Sequence, residues 1–121
     1  MTDLKQNTSY DPSTLPPVIV RYLEAQADRA RRKAISDVFA ADARVVDESI
    51  EYFGIDAIRG WLANTASEYT YTTTFTGQHC VDVDRWVVLA RLEGNFPGGV
   101  ADLRFQFAVR FDKIIDLVIV P

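Results

Sequence analysis

From residue 100 to 111 the chain reads VADLRFQFAVRF. Leu103, Phe105, Phe107, Val109 and Phe111 alternate with Asp102, Arg104, Gln106, Ala108 and Arg110. A period of two is the signature of a β-strand with one face turned toward an apolar interior. A lone hairpin cannot cover an aromatic face of this size, so another layer must lie across it.

The upstream half supplies that layer, because its period is helical. Residues 1–13 read as a loose polar arm. Ser13 or Thr14 followed by Pro16 and Pro17 predicts a helix start, where the missing proline N–H is harmless. Ile19, Tyr22, Leu23, Gln26 and Ala30 then recur at three- and four-residue spacing. Arg29, Arg31, Arg32 and Lys33 gather near the expected end of this helix, where cations complement the negative pole of its dipole. They are read as a solvated cluster rather than an anion site. Ile35, Val38 and Phe39 predict a short second helix, and Ala43 to Asp47 a brief strand. A third helix is expected from Gly54 or Asp56, with Ile58, Trp61, Leu62 and Thr65 inward. β-Formers dominate from Tyr69 onward. Strands are expected at 69–80, 85–94, 100–111 and 114–120, with turns at Asp82 to Asp84, Asn95 to Gly99 and Asp112 to Lys113. Helices first and a mostly antiparallel sheet afterwards predict an α+β fold, with three N-terminal helices on one side of a curved sheet. The other side mixes Arg91, Arg104, Gln106 and Arg110 with Val87 and Leu89, a composition suited to a homodimer interface.

With 121 residues, 48% of them hydrophobic, the chain supports one core, a single domain over 14–121. A net charge of −4 argues against nucleic acid as a partner, since that interaction depends on neutralising many phosphates. No apolar run approaches the roughly 20 residues of a membrane helix, and no apolar segment marks the polar N-terminus as a signal, so a cytoplasmic protein without membrane contact is expected. The single cysteine, Cys80, agrees with a reducing compartment. One histidine and one cysteine without ligand spacing predict no metal, and no glycine-rich phosphate loop occurs.

Chemistry concentrates in Phe39 to Trp61, where Asp47 ends a strand between two helices and would face whatever they enclose. An aspartate at such a joint can also simply accept backbone hydrogen bonds. Tyr22, on the apolar helix face, is a core aromatic whose hydroxyl needs a partner. Trp61, Trp86, Phe105 and Phe107 are candidate cavity walls. His79 and Cys80 are strand neighbours pointing to opposite faces, which excludes a nucleophile–base pair. Period-two counting groups His79 with Tyr69, Tyr71, Thr73 and Phe75 toward the interior. A two-residue turn at Asp112 and Lys113 would likewise set Asp116 inward opposite Val109.

The segments RYLEAQ at 21–26, VFAADARVVDES at 38–49, GIDAIRGWL at 54–62 and AVRFDKIIDL at 108–117 together resemble the nuclear-transport-factor-2-like superfamily, in its SnoaL-like and ketosteroid-isomerase-like branch. The resemblance covers about residues 16–120. It implies a cone-shaped roll (a cystatin-like α+β barrel) whose open end holds a hydrophobic cavity for a small apolar or aromatic molecule. In that family the cavity serves cofactor-free isomerases and cyclases, hydrolases, dehydratases, or binding and dimerisation alone. It matches Asp47 to the isomerase's general base and Tyr22 to its oxyanion donor, chemistry that a carboxylate and a phenol in an apolar pocket can perform. The second donor of ketosteroid isomerase, a carboxylic acid kept protonated by its apolar site, aligns with Phe107, which cannot donate. The resemblance turns Asp116 outward and places Leu117 inside, leaving two readings of that position.

Overall fold

A computed structural model describes residues 7–26, 28–64 and 70–121. Helices α1 (Pro17–Ala25), α2 (Arg29–Ala34) and α3 (Ile55–Asn64) accompany strands β1 (Phe39–Asp47), β2 (Ile50–Phe53), β3 (Tyr71–Asp82), β4 (Arg85–Gly94), β5 (Val100–Arg110) and β6 (Lys113–Val120). The strands form one sheet in the order β2-β1-β6-β5-β4-β3. Among these strands β1 and β6 run parallel, and every other neighbouring pair is antiparallel. Three helices on one side of this curved sheet make the expected α+β roll.

The first helix is interrupted. Gln26 caps the C-terminus of α1, and Asp28, in extended backbone, accepts the Arg31 N–H at 3.1 Å to start α2 afresh. α1 buries the predicted face: Ile19, Tyr22 and Leu23. The restart shifts the helical phase of α2 relative to α1. Arg31 and Lys33 stay exposed, but Arg32 turns inward and is only 7% exposed, so it does not belong to a solvated cluster. The expected second helix at Ile35 to Phe39 shrinks to a 3₁₀ turn over Ser36–Val38, and Phe39 already opens β1.

β1 ends in a two-residue hairpin turn, Glu48 and Ser49, both at positive φ, which leads into the short edge strand β2. Nothing in the sequence marked β2, whose residues carry no alternation. Gly54, at φ +88°, turns the chain into α3, where Ile58, Trp61 and Leu62 face the core. Thr65 and Tyr69, both assigned to the interior from sequence, lie outside the described residues.

The core lies between the helices and the inner sheet face. Val45, Val88, Phe105, Phe107, Leu117 and Ile119 meet Ile19, Tyr22, Leu23, Ile58, Trp61 and Leu62. Full burial of such side chains stabilises the fold by about 1.5–3 kcal/mol each. Phe111 does not join them. It shares the β5–β6 turn with Asp112, both at positive φ, and is 92% exposed, so the alternation of β5 ends at Val109.

β3 is bulged. Phe75 pairs with Ala90, and two residues later Gly77 pairs with Leu89, so one residue is left over and the face pattern inverts. The N-terminal segment docks beside the bulge: Thr8 exchanges backbone hydrogen bonds of 2.8 and 2.9 Å with Gln78. A Cβ on Gly77 would sit 3.0 Å from the Thr8 carbonyl oxygen, so a side chain here would press the N-terminal segment away by a few tenths of an ångström. The buried Gln78 amide accepts from the Asp11 N–H and donates to the Thr14 hydroxyl, both at 2.8 Å. Residues 7–13 of the arm read as loose are therefore fastened to the sheet.

Candidate functional site

Asp47 stands on the inner face of β1, two residues after the buried Val45 and in register with Ile119 of β6. Its carboxylate Oδ2 accepts a 3.1 Å hydrogen bond from Trp61 Nε1 on α3. The carboxylate is partly exposed while the indole is buried, so Asp47 sits at the edge of the core rather than in it. Asp47 ends β1 at the hairpin into β2, not at a strand-to-helix joint, yet it is on the helix side of the sheet.

Tyr22 is fully buried. Its ring lies 5.8 Å from Phe39 and 5.9 Å from Phe107, both edge-on, and 6.3 Å from Trp61 and 6.4 Å from Phe105. Among the described residues its hydroxyl makes no hydrogen bond. Burial pushes the phenol up to about 12; the neighbouring Arg32 guanidinium opposes that shift, and Asp47 and Tyr71 add to it. At neutral pH the hydroxyl is a protonated donor without an acceptor among those residues.

Arg32 completes the group. Its Cζ lies 4.4 Å from the centroid of the Trp61 ring, a cation–π contact, and its Nη1 donates to the Gln26 carbonyl at 3.5 Å. The Gln26 side chain donates in turn to Thr73 Oγ1 at 3.1 Å, tying the end of α1 to β3. Tyr22 from α1, Arg32 from α2 and Asp47 from β1 therefore gather around Trp61 of α3, and Tyr22 in turn packs against Phe105 and Phe107. A phenolic donor, a permanent cation and a carboxylate around an apolar surface are the parts needed to move a proton beside a carbonyl group. Sequence reading missed Arg32; the available signal was Asp28, a strong helix-capping residue inside an apparently continuous helix.

The remaining expected site residues lie elsewhere. Trp86 faces the core side opposite Phe107, one row away from Asp47, and is half-buried. His79, a candidate for the interior or a structural histidine, is placed by the bulge on the opposite face from Gln78 and Cys80; it pairs with Val87, and its Nδ1 meets Asn7 Oδ1. Asp116 is outside as well. A register shift in the β5–β6 pair sets Ile114 opposite Val109 and leaves Asp116 opposite Ala108. There Asp116 accepts two hydrogen bonds from Arg44, at 2.7 and 3.2 Å, and raises the Arg44 guanidinium above its usual range by direct hydrogen bonding. Asp102 also points outward and holds Arg91 at 3.2 Å. Among the described residues, no group of three or more His, Cys, Asp or Glu side chains could hold a metal ion, and no helix is long and apolar enough to cross a membrane.

As a sequence the chain matches no protein-family model and no curated protein. Its structure matches many. A candidate polyketide cyclase from Sinorhizobium meliloti superposes with a TM-score of 0.79 at 28% identity, over 92% of this chain and 100% of that one. A protein of ketosteroid isomerase-like fold from Catenulispora acidiphila gives 0.74 at 21% identity, over 89% and 87%. A candidate SnoaL-like polyketide cyclase from Shewanella putrefaciens gives 0.65 at 13%, over 85% of each chain. In fold, the chain is similar to nuclear-transport-factor-2-like proteins, among them structures described as ketosteroid isomerase-like and SnoaL-like.

Proposed function

We propose that this chain binds a small apolar or aromatic molecule between its helices and sheet and performs cofactor-free acid–base chemistry on it, of isomerase or cyclase type. Asp47 would take the proton and Tyr22 would donate to the oxygen on which charge develops. One observation carries the reading: a fully buried phenol hydroxyl with no acceptor among the described residues stands in the same cluster as an inward-facing carboxylate. An unpaired buried donor is costly to a fold, which favours a purpose beyond packing. The same close aromatic packing around Tyr22 favours a second reading, a non-catalytic binding or dimerisation module.

Tyr22→Phe tests the choice. Removing an unsatisfied donor should stabilise the protein by about 1 kcal/mol in urea melts, while any ligand found by metabolite screening should bind at least about tenfold more weakly. Unchanged binding would favour the non-catalytic module. Alkaline titration checks the environment of the hydroxyl. The folded phenol keeps its proton up to about pH 12, whereas an unfolded one releases it near 10.0. Stability from this group is therefore full below pH 10 and falls by about 3 kcal/mol as the pH approaches 12, a loss that Tyr22→Phe should remove.

A homodimer through the outer sheet face belongs to the same proposal. That face carries Leu89 and Arg104 beside the Arg91–Asp102 ion pair, around an open groove of about 340 Å³. Sedimentation should give twice the 13.6 kDa chain mass, and Leu89→Glu should return it to that of a single chain; a wild-type monomer would contradict the proposal.

A further inference from the structure

We propose that the β3 edge at Tyr71–Phe75 is an interaction surface for a second copy of this chain, paired edge to edge as antiparallel strands about a two-fold axis at Thr73. The contact is separate from the outer-face dimer and from the acid–base reading, and it depends on neither.

β3 closes one end of the strand order and is the longest strand of the described sheet. From Tyr71 to Val81 it contains no Asp, Glu, Lys, Arg or Pro, whereas every other strand carries at least one charged side chain. A long uncharged edge of threonine and aromatic residues invites another strand, and folds ordinarily avoid it. The opposite edge shows the ordinary protection, since β2 is only four residues long and carries Glu51. β3 is guarded only beyond its bulge, where Thr8 exchanges backbone hydrogen bonds with Gln78. From there the N-terminal segment leaves the edge for the helix side, stacking Tyr10 on Phe75 at 5.0 Å and donating the Asp11 N–H to the Gln78 side chain. Thr70 turns its carbonyl toward the end of β4, where the Asn95 N–H donates to it at 3.1 Å. Alternation from that point directs the backbone groups of Tyr71, Thr73 and Phe75 away from the sheet, and among the described residues no backbone group meets them.

The occupant follows from self-complementarity. With the axis at Thr73, that residue faces its own copy. Tyr71 then faces the partner's Phe75 on the helix side of the sheet, and Thr72 faces the partner's Thr74 on the outer side. Threonine pairs and aromatic pairs are favourable cross-strand combinations, and an edge without charge sets nothing against like meeting like. The N-terminal segment occupies the lane beside Gln78, so the partner strand has to end where its own β3 begins, at Tyr71 opposite Phe75. Pairing therefore closes at two copies, because each edge is used once and the strap on either side stops further extension. So short a window buries much less surface than a stable dimer needs. The contact is transient, formed at about 1 mM chain and absent from dilute solution, where Leu89→Glu still sediments as a single chain.

Backbone amide NMR of the isotope-labelled chain, followed on dilution from about 1 mM to about 20 µM, reads the contact residue by residue. The wild type should show shifts at Tyr71, Thr73 and Phe75 that reverse on dilution. Thr72→Lys combined with Thr74→Lys sets like charges opposite each other across the axis; it should weaken pairing about tenfold and shrink the shifts to match. Thr72→Lys combined with Thr74→Glu sets opposite charges there and should restore or enlarge them, which a change in strand stability alone would not do. Both positions are exposed on the outer side, so the fold is retained. Leu89→Glu should leave the edge shifts in place, which separates this contact from the outer-face dimer. Spectra that do not change on dilution, shifts confined to Leu89 and Arg104, edge shifts lost in Leu89→Glu, or equal behaviour of the two double variants would overturn the proposal. So would an added extended peptide that binds at Tyr71–Phe75 of a chain showing no dilution dependence, since the edge would then belong to a foreign strand.

Discussion

Asp47→Asn should lower kcat on any substrate of this protein by about 10²–10⁴-fold, the usual contribution of a positioned general base, with the melting temperature unchanged. The substitution is close to isosteric, and the amide oxygen of asparagine still accepts the 3.1 Å bond from Trp61 Nε1, so the joint between β1 and α3 keeps its geometry. What disappears is the basic oxygen that can carry a proton. Because Asp47 is partly exposed and not part of the apolar cluster, no buried charge is left unpaired by the change. The test needs a circular-dichroism melt beside the kinetics. Full turnover in a variant that melts normally would remove Asp47 from the mechanism.

Trp61→Ala should be the most damaging single change to the fold, costing about 3–5 kcal/mol. Trp61 is among the largest fully buried side chains, and it contacts Tyr22 at 6.3 Å, Tyr52 at 6.1 Å and the Arg32 guanidinium. Truncation opens a void between α3 and the sheet and releases the cation and the carboxylate together. Trp61→Phe separates these effects. It retains most of the packing and loses the hydrogen bond to Asp47, so a cost of about 1–2 kcal/mol is expected, since that bond is charged but its acceptor can rehydrate. Urea denaturation reads both variants. A cost below about 1 kcal/mol for Trp61→Ala would mean that α3 does not close the core at this point.

The strands most legible in the sequence are β4, β5 and β6, because each buries one face and a one-residue slip would invert every side chain. Tyr22, Trp61, Phe105 and Phe107 were placed correctly inside for the same reason: helical or strand period, unbroken through them, fixes the face. Each residue whose face stayed open or was misread sits beyond a local break in period. The extra residue at the β3 bulge moves His79 to the outer face, and the register shift beyond the β5–β6 turn does the same to Asp116. The Asp28 cap rephases α2 and brings Arg32 in. Phe111 obeys the alternation in sequence yet falls in a turn, where positive φ takes it out of the strand. Composition and period describe regular elements; a single inserted residue or capping side chain depends on tertiary contacts, such as the Thr8 carbonyl against Gly77, that lie far apart in the chain.

Asp47 and Tyr22 are proposed to address one ligand-holding space between the helices and the sheet. A crystal structure grown with 4-nitrophenol, or with a substrate from screening, tests it most directly. The ligand oxygen should lie within hydrogen-bonding distance of Tyr22 Oη, with the Asp47 carboxylate against the opposite part of the ligand. An aromatic interior that stays closed, with the ligand bound elsewhere and the Asp47 carboxylate turned to bulk water, would contradict it.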